Sequence, residues 1–215
     1  MKIAAFNGSP RKNGNTATLL KESLEGAKSA GASCELVHLY SLDYKGCTSC
    51  FECKKLNGKS YGACAMTDGL TPILETIDQY DALVFGSPVY FGTETGEMRS
   101  FLERLMFPFL TYTPGYESIF SKKIPTAMIY TMNVNAEQVQ QLDYMPFIER
   151  TQFFLGNILG SCDLLLSTDT MQFNDYSKYL SPIWDPEAKA KRKAEVFPLD
   201  CQKAKELGAK LIQTA

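Results

Sequence analysis

Residues with phosphate-binding chemistry follow the first apolar stretch of the chain. Residues 2–6 predict a strand, and a helical pattern begins at Thr16. The residues at this junction that could contact an anion are Ser9, Arg11, Asn13, Gly14, Asn15 and Thr16. Hydroxyl groups, a guanidinium and the free N–H groups of a helix start all donate hydrogen bonds to phosphate oxygens. The segment lacks the Gly-Lys-Ser/Thr ending of a Walker loop and the three spaced glycines of a dinucleotide site, so it fits a mononucleotide better.

A second candidate segment follows another apolar strand, predicted at residues 82–86. Its residues are Ser87, Pro88, Val89, Tyr90, Phe91 and Gly92. Pro88 stiffens the turn, and Gly92 lets backbone amides approach a ligand closely. The two aromatic side chains offer flat faces for stacking. This composition predicts a pocket for a planar ring system.

Each segment also has an interpretation that involves no ligand. The first could be an ordinary strand-to-helix turn in which Thr16 caps the helix. The second could bury its aromatic rings in the core. The presence of both segments in one chain favours a phosphorylated cofactor with a flat ring.

Sulfur is concentrated in one loop of the chain. Four of the seven cysteines lie there, and they are Cys47, Cys50, Cys53 and Cys64. Three closely spaced thiolates, with a fourth further along the chain, can wrap a 4Fe-4S cluster. The same residues could bind zinc, although a structural zinc site usually has two separated pairs of ligands. They could also remain free thiols or form a redox disulfide.

The two ligand-binding segments resemble a known family. Residues 8–16 and 87–96, followed by Phe101, Leu102, Glu103 and Arg104, look like the flavodoxin-like NADPH-dependent FMN reductase family. The resemblance covers roughly the first 110 residues closely. It implies non-covalently bound FMN that accepts hydride from NAD(P)H. It also implies a homodimer or a higher homo-oligomer.

The resemblance assigns roles to individual residues. The phosphate would be held by Ser9, Arg11, Gly14, Asn15 and Thr16, and the isoalloxazine would be lined by Pro88, Val89, Tyr90, Phe91 and Gly92. Iron-sulfur flavoproteins, a branch of the same fold, carry a compact cysteine cluster at this point of the chain. The gap between Cys53 and Cys64 is longer here than in that branch.

Alternating strand and helix patterns predict the fold class. We expect one flavodoxin-like α/β domain over residues 1–215, with a cysteine-rich loop at residues 46–66. Right-handed crossovers would give a doubly wound, three-layered structure with a five-stranded parallel sheet in the order 2-1-3-4-5. Strands are predicted at residues 2–6, 34–40, 82–86, 124–130 and 163–167. Thr131, Met132 and Asn133 leave the fourth strand at the same sheet edge, so polar contacts to the ring are predicted there too.

The helical patterns have recognisable starts and stops. They cover residues 16–30, 70–79, 97–106 and 136–159, and a last region begins at residue 185. Pro146 should divide the fourth pattern, and Pro198 should kink the last. No apolar run approaches the roughly 18 residues of a membrane span.

Charge and composition narrow the function. The net charge of −2 gives no reason to expect nucleic acid or an anionic membrane surface as a partner. The resemblance implies an FMN-dependent NAD(P)H oxidoreductase, and the lack of a long apolar run predicts a cytoplasmic location. Its acceptor would be a small molecule, such as a quinone, a flavin, or a nitro or azo compound, or a redox protein. An iron-sulfur flavoprotein or a flavodoxin-type electron carrier is the alternative, but flavodoxins are usually markedly acidic.

Overall fold

A computed structural model describes all 215 residues and contains one five-stranded, all-parallel sheet. The strands are β1 (Lys2–Asn7), β2 (Ser33–His38), β3 (Ala82–Pro88), β4 (Ile124–Thr131) and β5 (Gly160–Ser167). Their order across the sheet is β2-β1-β3-β4-β5. The predicted flavodoxin-like order is therefore confirmed.

The central strands are apolar on both faces because helices cover both sides of the sheet. Successive side chains of a strand point to opposite faces. In β1, Phe6 belongs to the core on one side, whereas Ile3 and Ala5 belong to the core on the other. This explains why β1, β3 and β4 read as nearly continuous hydrophobic runs.

Seven α-helices surround the sheet. They are α1 (Asn15–Ser29), α2 (Thr71–Glu75), α3 (Gly96–Met106), α4 (Ala136–Gln141), α5 (Met145–Leu159), α6 (Pro186–Glu195) and α7 (Phe197–Thr214). The buried side chains of α1 and α7 share one core, and those of α3 and α5 share the other. None of these helices combines the length and apolar character needed to cross a bilayer.

Prolines fix two of the helix boundaries. Pro146 lies in the first turn of α5, after α4 has ended at Gln141, as the sequence predicts. Pro198 lies in the first turn of α7, so it starts a separate helix instead of kinking one long helix. The prediction of a kink at Pro198 was therefore wrong.

Two predicted elements differ most in length from the observed ones. The helix predicted over residues 70–79 is a short α-helix, Thr71–Glu75, followed by a 3-10 turn, Ile77–Gln79. Strand β5 begins at Gly160, three residues before its predicted start at 163. The added residues pair with the beginning of β4, so neighbouring strand geometry extends β5 beyond its hydrophobic pattern.

Two glycines allow α1 and α7 to cross at backbone contact. A Cβ atom on Gly26 would fall on the carbonyl oxygen of Lys205, and one on Gly208 would fall on that of Ser23. Neither obstacle is a flexible side chain that could move aside. The absence of a side chain at both positions therefore sets the spacing of this helix pair.

We predict that Gly26→Ala lowers the free energy of unfolding by at least about 2 kcal/mol, because the methyl group forces the two backbones apart. Gly156→Ala is the matched control, since an added Cβ in α5 would meet nothing closer than 3.6 Å. That control should be neutral or stabilising, because alanine favours helix more than glycine does. Urea denaturation of both variants tests this, and equal stability of the two would contradict the close crossing.

Candidate functional site

Three loops meet at the carboxyl edge of the sheet because their strands are neighbours. Asn7 at the end of β1 pairs with Gly86, and Pro88 at the end of β3 pairs with Thr131 at the end of β4. We name them the phosphate loop (residues 8–16), the ring loop (residues 87–96) and the third loop (residues 131–133). A single cleft is lined by Ser9, Arg11, Gly14, Asn15, Thr16, Pro88, Val89, Tyr90, Thr131, Met132 and Asn133, together with Thr170, Met171 and Gln172.

The phosphate loop presents hydrogen-bond donors to one end of the cleft. Gly14 is the N-cap residue of α1, and no side chain caps that helix. The first turn of α1 contains no acidic residue. Its N–H groups therefore remain available to an anion, and the helix dipole favours negative charge there. Arg11 is the cation that lines this end.

Side chains of the phosphate loop also hold neighbouring segments in place. Arg11 Nη1 donates to the Gln172 carbonyl at 2.6 Å, and Asn15 Nδ2 donates to the Met171 carbonyl at 3.0 Å. The Thr16 and Thr131 hydroxyls are 2.7 Å apart and join α1 to the end of β4. The segment after β5 thus becomes part of the cleft wall, a role that the sequence alone did not settle.

The ring loop contains a tight turn that places the aromatic side chain of Tyr90 at the cleft. Tyr90 and Thr93 exchange backbone hydrogen bonds of 2.9 and 3.2 Å. Between them the backbone is left-handed at Phe91 (φ 51°) and at Gly92 (φ 87°). Val89 N donates to the Thr131 carbonyl at 2.9 Å, which holds the loop against the third loop. The half-exposed ring of Tyr90 lies at the cleft.

Four residues that the sequence nominates do not line the cleft. Asn13 accepts a hydrogen bond from Lys21 at 3.2 Å, and Phe91 is fully exposed. Ser87 is buried, where its hydroxyl donates to the Pro88 carbonyl and accepts from Thr95 N. Gly92 packs under the ring of Tyr144, which an added Cβ would meet at 3.3 Å. Ser87 and Gly92 therefore support the conformation of the ring loop without lining the cleft.

An unpaired acceptor in the third loop tests whether the cleft suits a flavin. Asn133 Oδ1 is buried and has no hydrogen-bond partner, whereas its Nδ2 donates to Gln172 Oε1 at 2.8 Å. A buried acceptor without a donor is costly. The oxidised isoalloxazine ring carries one N–H donor, so this acceptor suits it. With phosphate donors at one end and an aromatic side chain near the other, the residues present fit FMN.

A buried carboxylate within the ring loop escaped the sequence analysis. Glu94 is 3% exposed and accepts hydrogen bonds from the Tyr130 hydroxyl and from Thr93 Oγ1, the latter at 2.6 Å. Burial alone would raise the pKa of Glu94, but hydrogen bonds from Thr93, Tyr130 and Thr151 outweigh it and lower the pKa below its usual range. Burial and the Glu94 charge raise the pKa of Tyr130, so that residue stays a donor. The available signal was that Glu94 is the only charged residue in residues 87–96.

The four loop cysteines share a second, smaller cavity. Cys47, Cys50, Cys53 and Cys64 all line it. Left-handed backbone at Ser49 (φ 55°) and Phe51 (φ 58°) curls the chain between the first three. Gly62 N donates to the Cys53 carbonyl at 3.0 Å, which brings the more distant Cys64 back to the group. The chain therefore wraps around a common point despite the long last gap.

Two cations fasten this cysteine loop (residues 46–66) to α3 and the turn after it. Arg104 is 1% exposed, and its Nε lies 3.3 Å from Cys64 Sγ. The same guanidinium donates to the carbonyls of Lys45 and Met66 and pairs with Asp68. Lys54 Nζ donates to backbone carbonyls of the turn after α3. Positive charge therefore stands beside the thiols.

The thiols surround a cavity without meeting at one ion. No group of three or more His, Cys, Asp or Glu side chains is placed to hold a metal ion. A single zinc ion needs its ligands at one tetrahedral point. An iron–sulfur cluster is larger and is bound through several irons, so its cysteines stand further apart. The cysteine side chains as placed therefore form no ready site for a single zinc ion, and the same observation gives no direct support for a cluster.

A doubly wound parallel sheet with loops converging at its switch point defines a flavodoxin-like protein. The sequence family described as NADPH-dependent FMN reductase matches residues 1–154 of the chain. The chain therefore belongs to the NADPH-dependent FMN reductase family, and the resemblance carried by residues 8–16 and 87–96 is confirmed.

The chain is also similar to iron-sulfur flavoproteins. It is 38% identical to one from Archaeoglobus fulgidus over 104 residues, which make up 48% of this chain and 48% of the relative. It is 32% identical to one from Methanocaldococcus jannaschii over 104 residues, 48% of this chain and 51% of the relative. The chain thus spans about half the length of the curated relatives it matches.

Solved structures share the whole architecture. An NAD(P)H:quinone oxidoreductase from Methanothermobacter marburgensis superposes with a TM-score of 0.72 at 13% identity and covers 98% of both chains. An FMN-dependent NADH-azoreductase from Bacillus anthracis, solved in complex with FMN, gives a TM-score of 0.66 at 12% identity and covers 99% of this chain and 100% of the other. Identities this low relate the folds alone.

Proposed function

We propose that the chain binds one FMN in the cleft and uses it to oxidise NAD(P)H, passing the electrons to a small acceptor. The acceptor class would be a quinone, a free flavin, or a nitro or azo compound. The observation that carries the proposal is the single cleft that joins the uncapped start of α1 to Tyr90 and Asn133. Membership of the FMN reductase family supports the same cofactor. On this proposal residues 1–215 act as one FMN-binding domain.

Different residues of the cleft would bind the phosphate and the ring of the cofactor. The start of α1, the Ser9 and Thr16 hydroxyls and Arg11 would bind the phosphate. Asn133 would accept the ring N–H, and Tyr90 would flank the ring face. When bound, FMN supplies a hydride acceptor that can release its electrons singly or in pairs. The protein then needs no acid–base pair of its own for hydride transfer.

An enzyme fits this chain better than a flavodoxin-type carrier. The net charge of −2 provides little electrostatic steering toward a basic redox partner. Both aromatic residues at the tip of the ring loop are exposed, so a planar substrate could reach the ring from solvent. These features support turnover with a small molecule.

Turnover is tested by mixing FMN-loaded protein with NADPH or NADH and following the nicotinamide absorbance. We expect oxidation that accelerates on addition of a quinone, an azo dye or free flavin. Protein stripped of FMN is the control and should be inactive until FMN is restored. Tight FMN binding with no oxidation by any acceptor would favour the carrier function instead.

Riboflavin separates the phosphate contacts from the ring contacts, because it has the same ring and no phosphate. We predict that Arg11→Gln raises the Kd for FMN about tenfold, as loss of a charge-assisted hydrogen bond implies, and leaves the Kd for riboflavin unchanged. Flavin fluorescence quenching measures both constants.

Lys12→Gln is the matched control for this substitution. Lys12 is an exposed neighbour with the same charge, and it does not line the cleft. Its removal should change neither Kd. An equal loss of FMN and riboflavin affinity in Arg11→Gln would mean that Arg11 acts only by holding Gln172, and the phosphate assignment would be wrong.

We further propose that Cys47, Cys50, Cys53 and Cys64 bind a 4Fe-4S cluster. Their common cavity and the adjacent positive charges of Arg104 and Lys54 support this, since thiolate ligands and a cluster carry negative charge. Similarity to iron-sulfur flavoproteins supports it as well. With such a cluster the protein would relay electrons from FMN outward one at a time.

Iron and acid-labile sulfide analysis of anaerobically purified protein tests the cluster. We predict that both are present in the unchanged chain and are lost in Cys53→Ser, while FMN is retained. Cys34→Ser is the control, because Cys34 is an exposed thiol on β2 outside the cysteine loop. Iron-free protein from anaerobic preparation, with four reactive thiols in the loop, would contradict the assignment.

The proposal also covers the oligomeric state of the protein and its cellular compartment. We infer a homodimer or a higher homo-oligomer, supported by the exposed side chains of Phe147, Phe153 and Phe154 on α5. Light scattering measures this directly, and a monomer mass of 24.0 kDa would contradict it. None of the seven cysteines forms a disulfide, which suits a reducing compartment such as the cytoplasm.

A further inference from the structure

We propose that Glu94 is a positioning residue for the flavin ring: it ties the ring loop to β4 and places a fixed negative charge behind it, which makes reduction of the bound flavin less favourable. The inference rests on the proposed FMN function and deepens it. It concerns a residue that does not line the cleft and that none of the contacts described for the cofactor uses.

The first step is the unusual environment of this carboxylate. Glu94 is 3% exposed, and no lysine, arginine or histidine lies within salt-bridge distance of it. Its charge is balanced by hydrogen bonds from the side chains of Thr93, Tyr130 and Thr151 and from its own backbone N–H, and by no cation. Burying a charge without a cation carries a desolvation cost that hydrogen bonds must offset. Perturbed groups of this kind concentrate at functional sites.

The second step is what the carboxylate holds. The ring loop has consecutive left-handed residues, Phe91 and Gly92, and Phe91 pays a conformational penalty there because it has a Cβ. Immediately after Glu94, the Thr95 hydroxyl donates to the Gly8 carbonyl at 2.7 Å. Glu94 and Thr95 thus fasten the loop to β4 and to the phosphate loop, respectively. Both ties keep Tyr90 at the cleft.

The third step is electrostatic. Glu94 directly follows Thr93, which exchanges backbone hydrogen bonds of 2.9 and 3.2 Å with Tyr90, a residue that lines the cleft. Hydrogen bonding keeps the pKa of Glu94 low, so the carboxylate is ionised at neutral pH. Reduced FMN carries more negative charge than oxidised FMN. A nearby buried carboxylate therefore weakens binding of the reduced form more than that of the oxidised form, and the bound flavin becomes a stronger electron donor.

Glu94→Gln tests the charge, because it keeps the size of the side chain and an oxygen acceptor. The ratio of the FMN Kd values in the oxidised and reduced states, measured anaerobically, gives the shift in potential. We expect the reduced form to gain affinity about tenfold relative to the oxidised form, equivalent to roughly 30 mV for a two-electron couple. Glu97→Gln, which removes a partly exposed carboxylate from the first turn of α3, should shift the ratio much less.

Tyr130→Phe tests the hydrogen bond between Tyr130 and Glu94, and it can be measured even if Glu94→Gln does not fold. It removes the hydroxyl donor and should raise the FMN Kd about fivefold in both redox states, because the ring loop loses its hold on β4. An unchanged Kd in Tyr130→Phe, or an unchanged ratio in Glu94→Gln, overturns the corresponding half of the proposal. Failure of the unchanged chain to bind FMN would overturn the proposed function itself, so the two failures are distinguishable.

Discussion

Parallel pairing of β1, β3 and β4 is the constraint on which the rest of the structure depends. Parallel neighbours end at the same edge of a sheet, so the loops that follow them must meet there. Side-chain hydrogen bonds then join the loops to one another, as between Thr16 and Thr131 and between Thr95 and Gly8. The cleft is therefore held by contacts between loops whose positions the sheet has already fixed.

Helix α3 connects the two chemically distinctive parts of the molecule. It begins at Gly96, where the ring loop ends, and it carries Arg104 to the cysteine loop. Eight residues of helix separate these points by roughly 12 Å. A rigid element of that length fixes the cysteine cavity relative to the cleft, which is what a relay from flavin to cluster would require.

Two buried charged residues, Arg104 and Glu94, differ in how their charges are compensated. Arg104 has a carboxylate partner, Asp68, and several backbone acceptors, so its charge is satisfied and its role is to fasten the cysteine loop. Glu94 has hydroxyl donors but no cation. No cation within ion-pair distance offsets its negative charge, in contrast to the Arg104–Asp68 pair.

The sequence by itself determined most strand and helix positions and most of the cleft residues, because hydrophobic periodicity and local turn residues such as Gly14 and Pro88 encode them over short distances. The sheet order followed from the right-handedness of the crossovers and from the flavodoxin-like pattern of elements. Only the tertiary structure decided the rest. Met171 joins the cleft through contacts with a loop over 150 residues away, Glu94 acquires one of its donors, Tyr130, from β4, and Cys64 reaches the other thiols through a folded loop. Such contacts depend on how distant segments pack, and no local pattern of residues specifies them.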